Sequence, residues 1–169
     1  GDGRVVMVLE VAALVRRLTS QAQRQAEARA LQEVRRETQE QPLNIMVIDD
    51  SITMRKVTAR FLERHGAHVM VAKDGIEAVG RLEERVPDLV ILDIEMPRMD
   101  GYELTKHIRN QPHLRHLPVI MVTSRTGEKH RDLAASLGVN DYLGKPYQEE
   151  EMMAAIRRAL GHRAEKLRV

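Results

Sequence analysis

From residue 43 onward the chain alternates short apolar runs with amphipathic stretches five times over, and this alternation limits the possible folds more than any other feature. Leu43 to Ile48 predicts a buried strand that ends at Asp49-Asp50. Ile52, Met54, Val57, Phe61 and Leu62 carry helical spacing through Ser51 to His65, and Gly66 closes that helix. The series continues as strand Ala67 to Ala72, helix Asp74 to Arg85, strand Asp88 to Leu92, helix Gly101 to Asn110, strand Pro118 to Val122, helix Gly127 to Leu137, strand Asn140 to Leu143 and helix Gln148 to Leu160. Five such units predict an α/β fold: a five-stranded parallel sheet, doubly wound, with helices on both faces and right-handed crossovers. Ligands of such sheets bind beyond the carboxyl ends of the strands, where the strand order reverses.

The residues at those ends are chemically selective. Asp49 and Asp50 follow the first strand and Asp93 follows the third. If those strands are neighbours, three carboxylates converge. Two carboxylates 4 Å apart at an effective dielectric near 20 repel by roughly 4 kcal/mol, so they call for a cation. All-oxygen donors, with waters completing the shell, suit Mg²⁺ better than a calcium cage. Thr123 ends the fourth strand with a hydroxyl, and Lys145 follows the fifth with an ammonium able to bind phosphate or a carboxylate. Taken singly, an aspartate after a strand is more often a helix cap or turn residue, and an exposed lysine is usually only solvated. The significance lies in acid, acid, hydroxyl and amine falling at equivalent ends of four strands.

Composition removes several other classes. The 27 basic and 25 acidic side chains leave a formal charge of +2, too little to draw the chain to nucleic acid or anionic lipid. With no Cys there are no disulfides and no thiolate chemistry, which fits a cytoplasmic setting. One Phe, three Tyr and no Trp leave little to stack on bases or a flavin ring. Nine Met must then help fill the core; Met46, Met54, Met70, Met121, Met152 and Met153 are expected to pack, and His113 and His116 to be solvated on a loop. No apolar run reaches the roughly 18 residues of a membrane span.

Before residue 43 the pattern differs. Gly1-Asp2-Gly3-Arg4 is a turn signal, Val5 to Leu9 predicts a strand, and Val11 to Leu18 a short helix. One strand and two helical turns cannot bury an apolar face alone, so residues 1–18 read as the end of a truncated domain or as an extra edge strand. Residues 19–42 are rich in Gln, Arg, Glu and Ala and predict a solvated helical linker; a coiled coil would need an a/d register held for three or four heptads. An unpaired apolar strand exposes an open edge, so a homodimer through this N-terminal strand or helix is expected. Residues 43–161 form the main domain and 162–169 a basic tail.

The runs Val47-Ile48-Asp49-Asp50-Ser51, Leu89-Val90-Ile91-Leu92-Asp93-Ile94-Glu95-Met96-Pro97, Met99-Asp100-Gly101, Pro118-Val119-Ile120-Met121-Val122-Thr123-Ser124 and Gly144-Lys145-Pro146 together resemble the receiver domain of two-component response regulators. The intervals between Asp50, Asp93, Thr123 and Lys145 match as well. The resemblance spans Leu43 to Leu160 and implies a flavodoxin-like strand order of 2-1-3-4-5. It further implies that Asp93 attacks the phosphorus of a phosphohistidine on a histidine kinase. Mg²⁺ would be held by Asp50, Asp93 and the Glu95 backbone carbonyl, with Asp49 acting through water. Lys145 and Thr123 would bind the phosphoryl group and Tyr142 would change rotamer, altering the surface around the Gly127–Leu137 helix and the fifth strand. Glu95 and Arg125 occupy positions the family leaves variable; either a salt bridge between them partly shields the acyl phosphate or both are simply solvated side chains.

The run Gly1 to Val11 is similar to the closing strand of the coupling-protein-like regulatory domain of chemotaxis-type histidine kinases. That resemblance implies that the chain is the carboxyl end of a hybrid kinase, serving as phosphate target or sink, with no ATP-binding motif of its own. A non-phosphorylated docking or dimerisation module is the rival reading. An aspartyl phosphatase would need a second Asp two residues beyond Asp93, where Glu95 stands.

Overall fold

The computed structural model describes residues 2–168, and the side chains of residues 7–36 and 41–168. The chain divides into two compact units, residues 1–41 and 42–169. The first is one helix, α1, Asp2–Glu40. The strand expected at Val5 to Leu9 is therefore helical. A strand must borrow hydrogen bonds from a neighbouring edge, whereas a helix satisfies its own backbone locally. Among the described residues no strand pairs with this segment.

The second unit contains β1 (Asn44–Ile48), α2 (Ile52–Arg64), β2 (His68–Ala72), α3 (Gly75–Glu84), β3 (Leu89–Leu92), α4 (Gly101–Asn110), β4 (Val119–Thr123), α5 (Glu128–Ser136), β5 (Asp141–Gly144) and α6 (Glu149–Leu160). All strand pairs are parallel, in the order β2-β1-β3-β4-β5. Strand residues alternate between two cores, as the period of two requires. Ile45, Val47, Leu89, Ile91, Ile120 and Val122 meet α2 and α6 on one face. Met46, Ile48, Val90, Leu92, Val119 and Met121 meet α3, α4 and α5 on the other. Because both faces are covered, the strands read as unbroken apolar runs. Met46, Met121, Met152 and Met153 are buried and Met70 is half-buried, so these methionines pack as expected. His113 and His116 are exposed in a turn.

The residues read as a basic tail fold back onto this unit. Gly161–Lys166 form a 3₁₀ helix, and Ala164 and Leu167 are buried in the α2/α6 core. Arg163 is ion-paired with Asp88, and the Arg168 N–H donates to the His65 carbonyl at 2.7 Å. Two apolar side chains spaced three apart dock this otherwise charged segment.

Side chains hold the starts of α3 and α4. Asp100 and Glu103 form a reciprocal capping box on α4. At α3, buried Asp74 accepts from the Glu77 N–H at 2.8 Å and from the Arg98 guanidinium. The Glu77 N–H above all, then the Arg98 and Lys73 charges, hold the Asp74 carboxyl low against the opposing effect of burial. A lowered folded pKa means a contribution fully present above the unfolded value and lost as pH falls through the folded one. Asp74→Ala is accordingly expected to cost about 1–2 kcal/mol at pH 7. The gap between the urea midpoints of the two proteins should close as the pH drops below 4; a gap of equal size at pH 3 and pH 7 contradicts this assignment.

Candidate functional site

The parallel order brings the carboxyl ends of β1, β3, β4 and β5 to one rim. Ile48 pairs with Leu92, so Asp49 and Asp93 leave the sheet side by side, and the Asp93 N–H donates to the Ile48 carbonyl at 2.9 Å. Across β4, Thr123 pairs with Gly144, and the Lys145 N–H donates to the Thr123 carbonyl at 2.8 Å. These bonds deliver the two acids, the hydroxyl and the ammonium to the same crevice. Gly101 lets α4 start close against this floor: a Cβ there would lie 2.5 Å from the Asp93 carbonyl oxygen.

One carboxylate oxygen from each of Asp49, Asp50 and Asp93 lies within 4.8 Å of the others. Asp49 and Asp93 are buried, and Asp50 is exposed at the mouth. The Lys145 Nζ bridges the buried pair, donating to Asp49 Oδ2 at 2.8 Å and to Asp93 Oδ2 at 3.2 Å. Asp49 Oδ1 accepts from the Ser51 N–H at 2.8 Å, so both of its oxygens are engaged. Asp93 Oδ1 has only a long contact, 3.4 Å, from the Glu95 N–H. Burial pushes the Asp93 carboxyl above its ordinary value; Lys145 and the Glu95 N–H oppose that shift, and the Asp49 charge adds to it. For Lys145, burial acts to lower the pKa, but the hydrogen bonds and charges of Asp49 and Asp93 together outweigh it and raise the ammonium.

Thr123 is fully buried, and its hydroxyl accepts from the Arg125 N–H at 3.2 Å. Glu95 and Arg125 are ion-paired across the mouth, both about half exposed. They border a cleft of about 580 Å³ also lined by Asp50, Met96, Pro97 and Tyr102. The Tyr142 hydroxyl donates to the Arg125 carbonyl, the Arg131 guanidinium lies 5.6 Å from its ring centroid, and burial first, then the neighbouring Tyr102, pushes its phenol up to about 12.

Three contacts at the site have no counterpart in the sequence reading. The Arg55 guanidinium donates to the Asp49 and Asp50 carbonyls at 2.6 and 3.2 Å, bracing the acidic turn from α2. Tyr102 Oη lies 3.0 Å from His130 Nδ1, with the two rings stacked at 6.5 Å, and so ties α4 to α5. Arg98, at φ 68°, holds the loop after Asp93 against Asp74. The only signal in the sequence was placement, because Arg55 sits one turn into the helix after the acidic pair.

Hard oxygen donors beside a fixed ammonium can hold a divalent cation and an incoming anion together. Comparison with known proteins gives this chemistry a context. Residues 45–157 match the response regulator receiver domain family. Protein PilG of Pseudomonas aeruginosa is 36% identical over 121 residues, covering 72% of this chain and 90% of that protein. The sensor histidine kinase CheAY of Helicobacter pylori is 33% identical over 118 residues, 69% of this chain and 15% of CheAY. The chain spans about half the length of several further curated relatives. Among solved structures, the receiver domain of a sensor histidine kinase from Pseudomonas aeruginosa, with a magnesium ion coordinated in its active-site cleft, matches with a TM-score of 0.66. That match is 30% identical and covers 72% of this chain and 99% of that one.

Proposed function

The chain belongs to the response regulator receiver domain family of two-component signalling, and from that premise we propose that it is a phosphoryl-accepting switch with Asp93 as the acceptor. The observation that carries this reading is the asymmetry of the two buried carboxylates. Both oxygens of Asp49 are engaged, whereas Asp93 Oδ1 has only the long contact from the Glu95 N–H. Asp93 attacks phosphorus in line as the P–N bond of a phosphohistidine breaks, giving an acyl phosphate and returning the electron pair to the imidazole. Asp50, Asp93 and the Glu95 carbonyl would hold Mg²⁺, with Asp49 acting through water; the all-oxygen donor set fits that ion. When bound, the ion neutralises charge on the transferring phosphoryl oxygens.

The remaining steps belong to the chain's own side chains. Lys145 exchanges a carboxylate partner for a phosphoryl oxygen. The Thr123 hydroxyl turns from the Arg125 N–H toward the phosphoryl group and draws the loop with it. Tyr142, bonded to that loop through the Arg125 carbonyl, moves in response, and the surface of α5 and β5 changes. Receiver domains take phosphoryl groups from histidine kinases. The presence of related receivers within CheAY and a second sensor histidine kinase supports reading this one as the receiver of a chemotaxis-type hybrid kinase.

Incubation with Mg²⁺ and acetyl phosphate, followed by intact-mass measurement, tests the reading. One phosphoryl group is expected, and none when the metal is chelated; uptake independent of Mg²⁺ defeats the proposal. The Glu95–Arg125 pair lines the cleft beside Asp50, and on this reading it limits the access of water to the acyl phosphate. Removing it in Arg125→Ala is expected to speed phosphate loss several-fold. Unchanged or slower loss would mean that the pair does not shield.

A further inference from the structure

We propose that Arg98 and Asp74 are positioning residues for the metal: their ion pair fixes the loop that offers the Glu95 carbonyl, and so sets how tightly Mg²⁺ binds. The inference rests on the reading of Asp50, Asp93 and that carbonyl as the ligands. Asp50 and Asp93 stand just past the ends of β1 and β3, where the sheet places them. Glu95 lies instead in the loop between β3 and α4, whose path no strand dictates. Its own contacts hold it loosely: the Glu95 N–H reaches Asp93 Oδ1 only at 3.4 Å, and its side chain ends in a half-exposed pair with Arg125.

The loop is fastened elsewhere. Its two ends are tied together by the Gly101 N–H, which donates to the Ile94 carbonyl at 2.9 Å. Its far side is tied to α3, because the Arg98 guanidinium donates to Asp74 Oδ2 on a carboxylate only 2% exposed. The other Asp74 oxygen caps α3 through the Glu77 N–H. Met99 fills the notch beside Gly75, where a Cβ would lie 2.7 Å from Met99 Cγ. Among the described residues Arg98 is the one non-glycine with a positive φ, 68°. Glycine would adopt that backbone without strain, and the ion pair with Asp74 is what an arginine adds there.

The path from Arg98 back to Glu95 is stiff. Pro97 has a fixed φ, and a residue before proline, here Met96, is restricted to extended backbone. The Met99 N–H closes a tight turn on the Pro97 carbonyl at 2.8 Å. A shift at Arg98 is therefore passed on to the Glu95 carbonyl with little absorbed on the way.

Titration of Mg²⁺ alone into the full chain, followed by amide NMR shifts, tests the proposal. Arg98→Ala and Asp74→Asn should each weaken Mg²⁺ binding about tenfold, although Asn still caps α3. The double variant should be no weaker than either single one, because the two side chains act as a unit. Arg98→Lys should recover most of the affinity. Arg98→Gly separates positioning from stability: it should melt higher than Arg98→Ala, because the strain is gone, yet bind Mg²⁺ no more tightly. At saturating Mg²⁺, labelling of Arg98→Ala by acetyl phosphate should reach the wild-type extent. Wild-type affinity in Arg98→Ala or in Asp74→Asn, with the wild type itself binding Mg²⁺, overturns the positioning role and leaves Asp93 as acceptor. Labelling of Arg98→Ala that stays low at saturating Mg²⁺ also overturns it. A wild type that binds no Mg²⁺ defeats the phosphoryl-acceptor reading and this inference together.

Discussion

Asp93→Asn is expected to take up no phosphoryl group from acetyl phosphate and Mg²⁺ under conditions that label the wild-type chain completely. The expectation follows from how the three carboxylates are occupied. Asp49 spends both oxygens on the Ser51 N–H and Lys145. Asp50 is exposed at the rim, whereas the ammonium is hydrogen-bonded to Asp49 and Asp93. Asp93 alone combines burial, a shared hydrogen bond to Lys145 and an oxygen with only a long contact. An Asn amide keeps the shape and still accepts from the Glu95 N–H, so the fold should survive, but it lacks the anionic nucleophile that forms the acyl phosphate. Loss should therefore be complete rather than partial, since no neighbouring carboxylate has the same approach. Equal adducts on the two proteins would remove Asp93 from the role and leave the receiver fold intact.

The ease with which the rim could be read has a physical origin. Parallel strands covered on both faces impose unbroken apolar runs, and the first polar residue after each run falls at the same edge of the sheet. Asp49, Asp50, Asp93, Thr123 and Lys145 were legible for that reason, because periodicity places them before any contact is known. Arg55, Tyr102 with His130, and Arg98 with Asp74 were not. Their partners lie on other elements, and no local period reports a guanidinium or phenol reaching across a crevice. The tail was misread for a related reason: Ala164 and Leu167 are too few to outweigh the surrounding charges in a composition argument, yet they are buried. At Val5 to Leu9 the failure was of another kind. Valine-rich sequence favours a strand only where an edge is offered.

Lys145→Met should lower stability at pH 7.5 by about 2 kcal/mol and make the variant more responsive to Mg²⁺ than the wild type. Among the described residues the ammonium is the one cation hydrogen-bonded to both Asp49 and Asp93, and methionine replaces its stem at similar volume without the charge. Removing one member of a buried ionic cluster strands the others, at about 3–5 kcal/mol where water is excluded; the 20% exposure of the Lys145 side chain reduces the expected cost. The carboxylates left behind then lack their counter-charge, and a divalent ion would supply more of it than in the wild type. In thermal melts, saturating Mg²⁺ should raise the midpoint of Lys145→Met more than that of the wild type, narrowing the gap between them. Two further variants separate loss of charge from loss of packing. Lys145→Arg should retain most of the stability through its fixed charge, while Asp49→Asn combined with Lys145→Met should restore part of what the single substitution removes. If Mg²⁺ moves the wild type and Lys145→Met equally, the ammonium and the metal are not compensating the same charge, and the grouping of Asp49, Asp93 and Lys145 as one electrostatic unit fails.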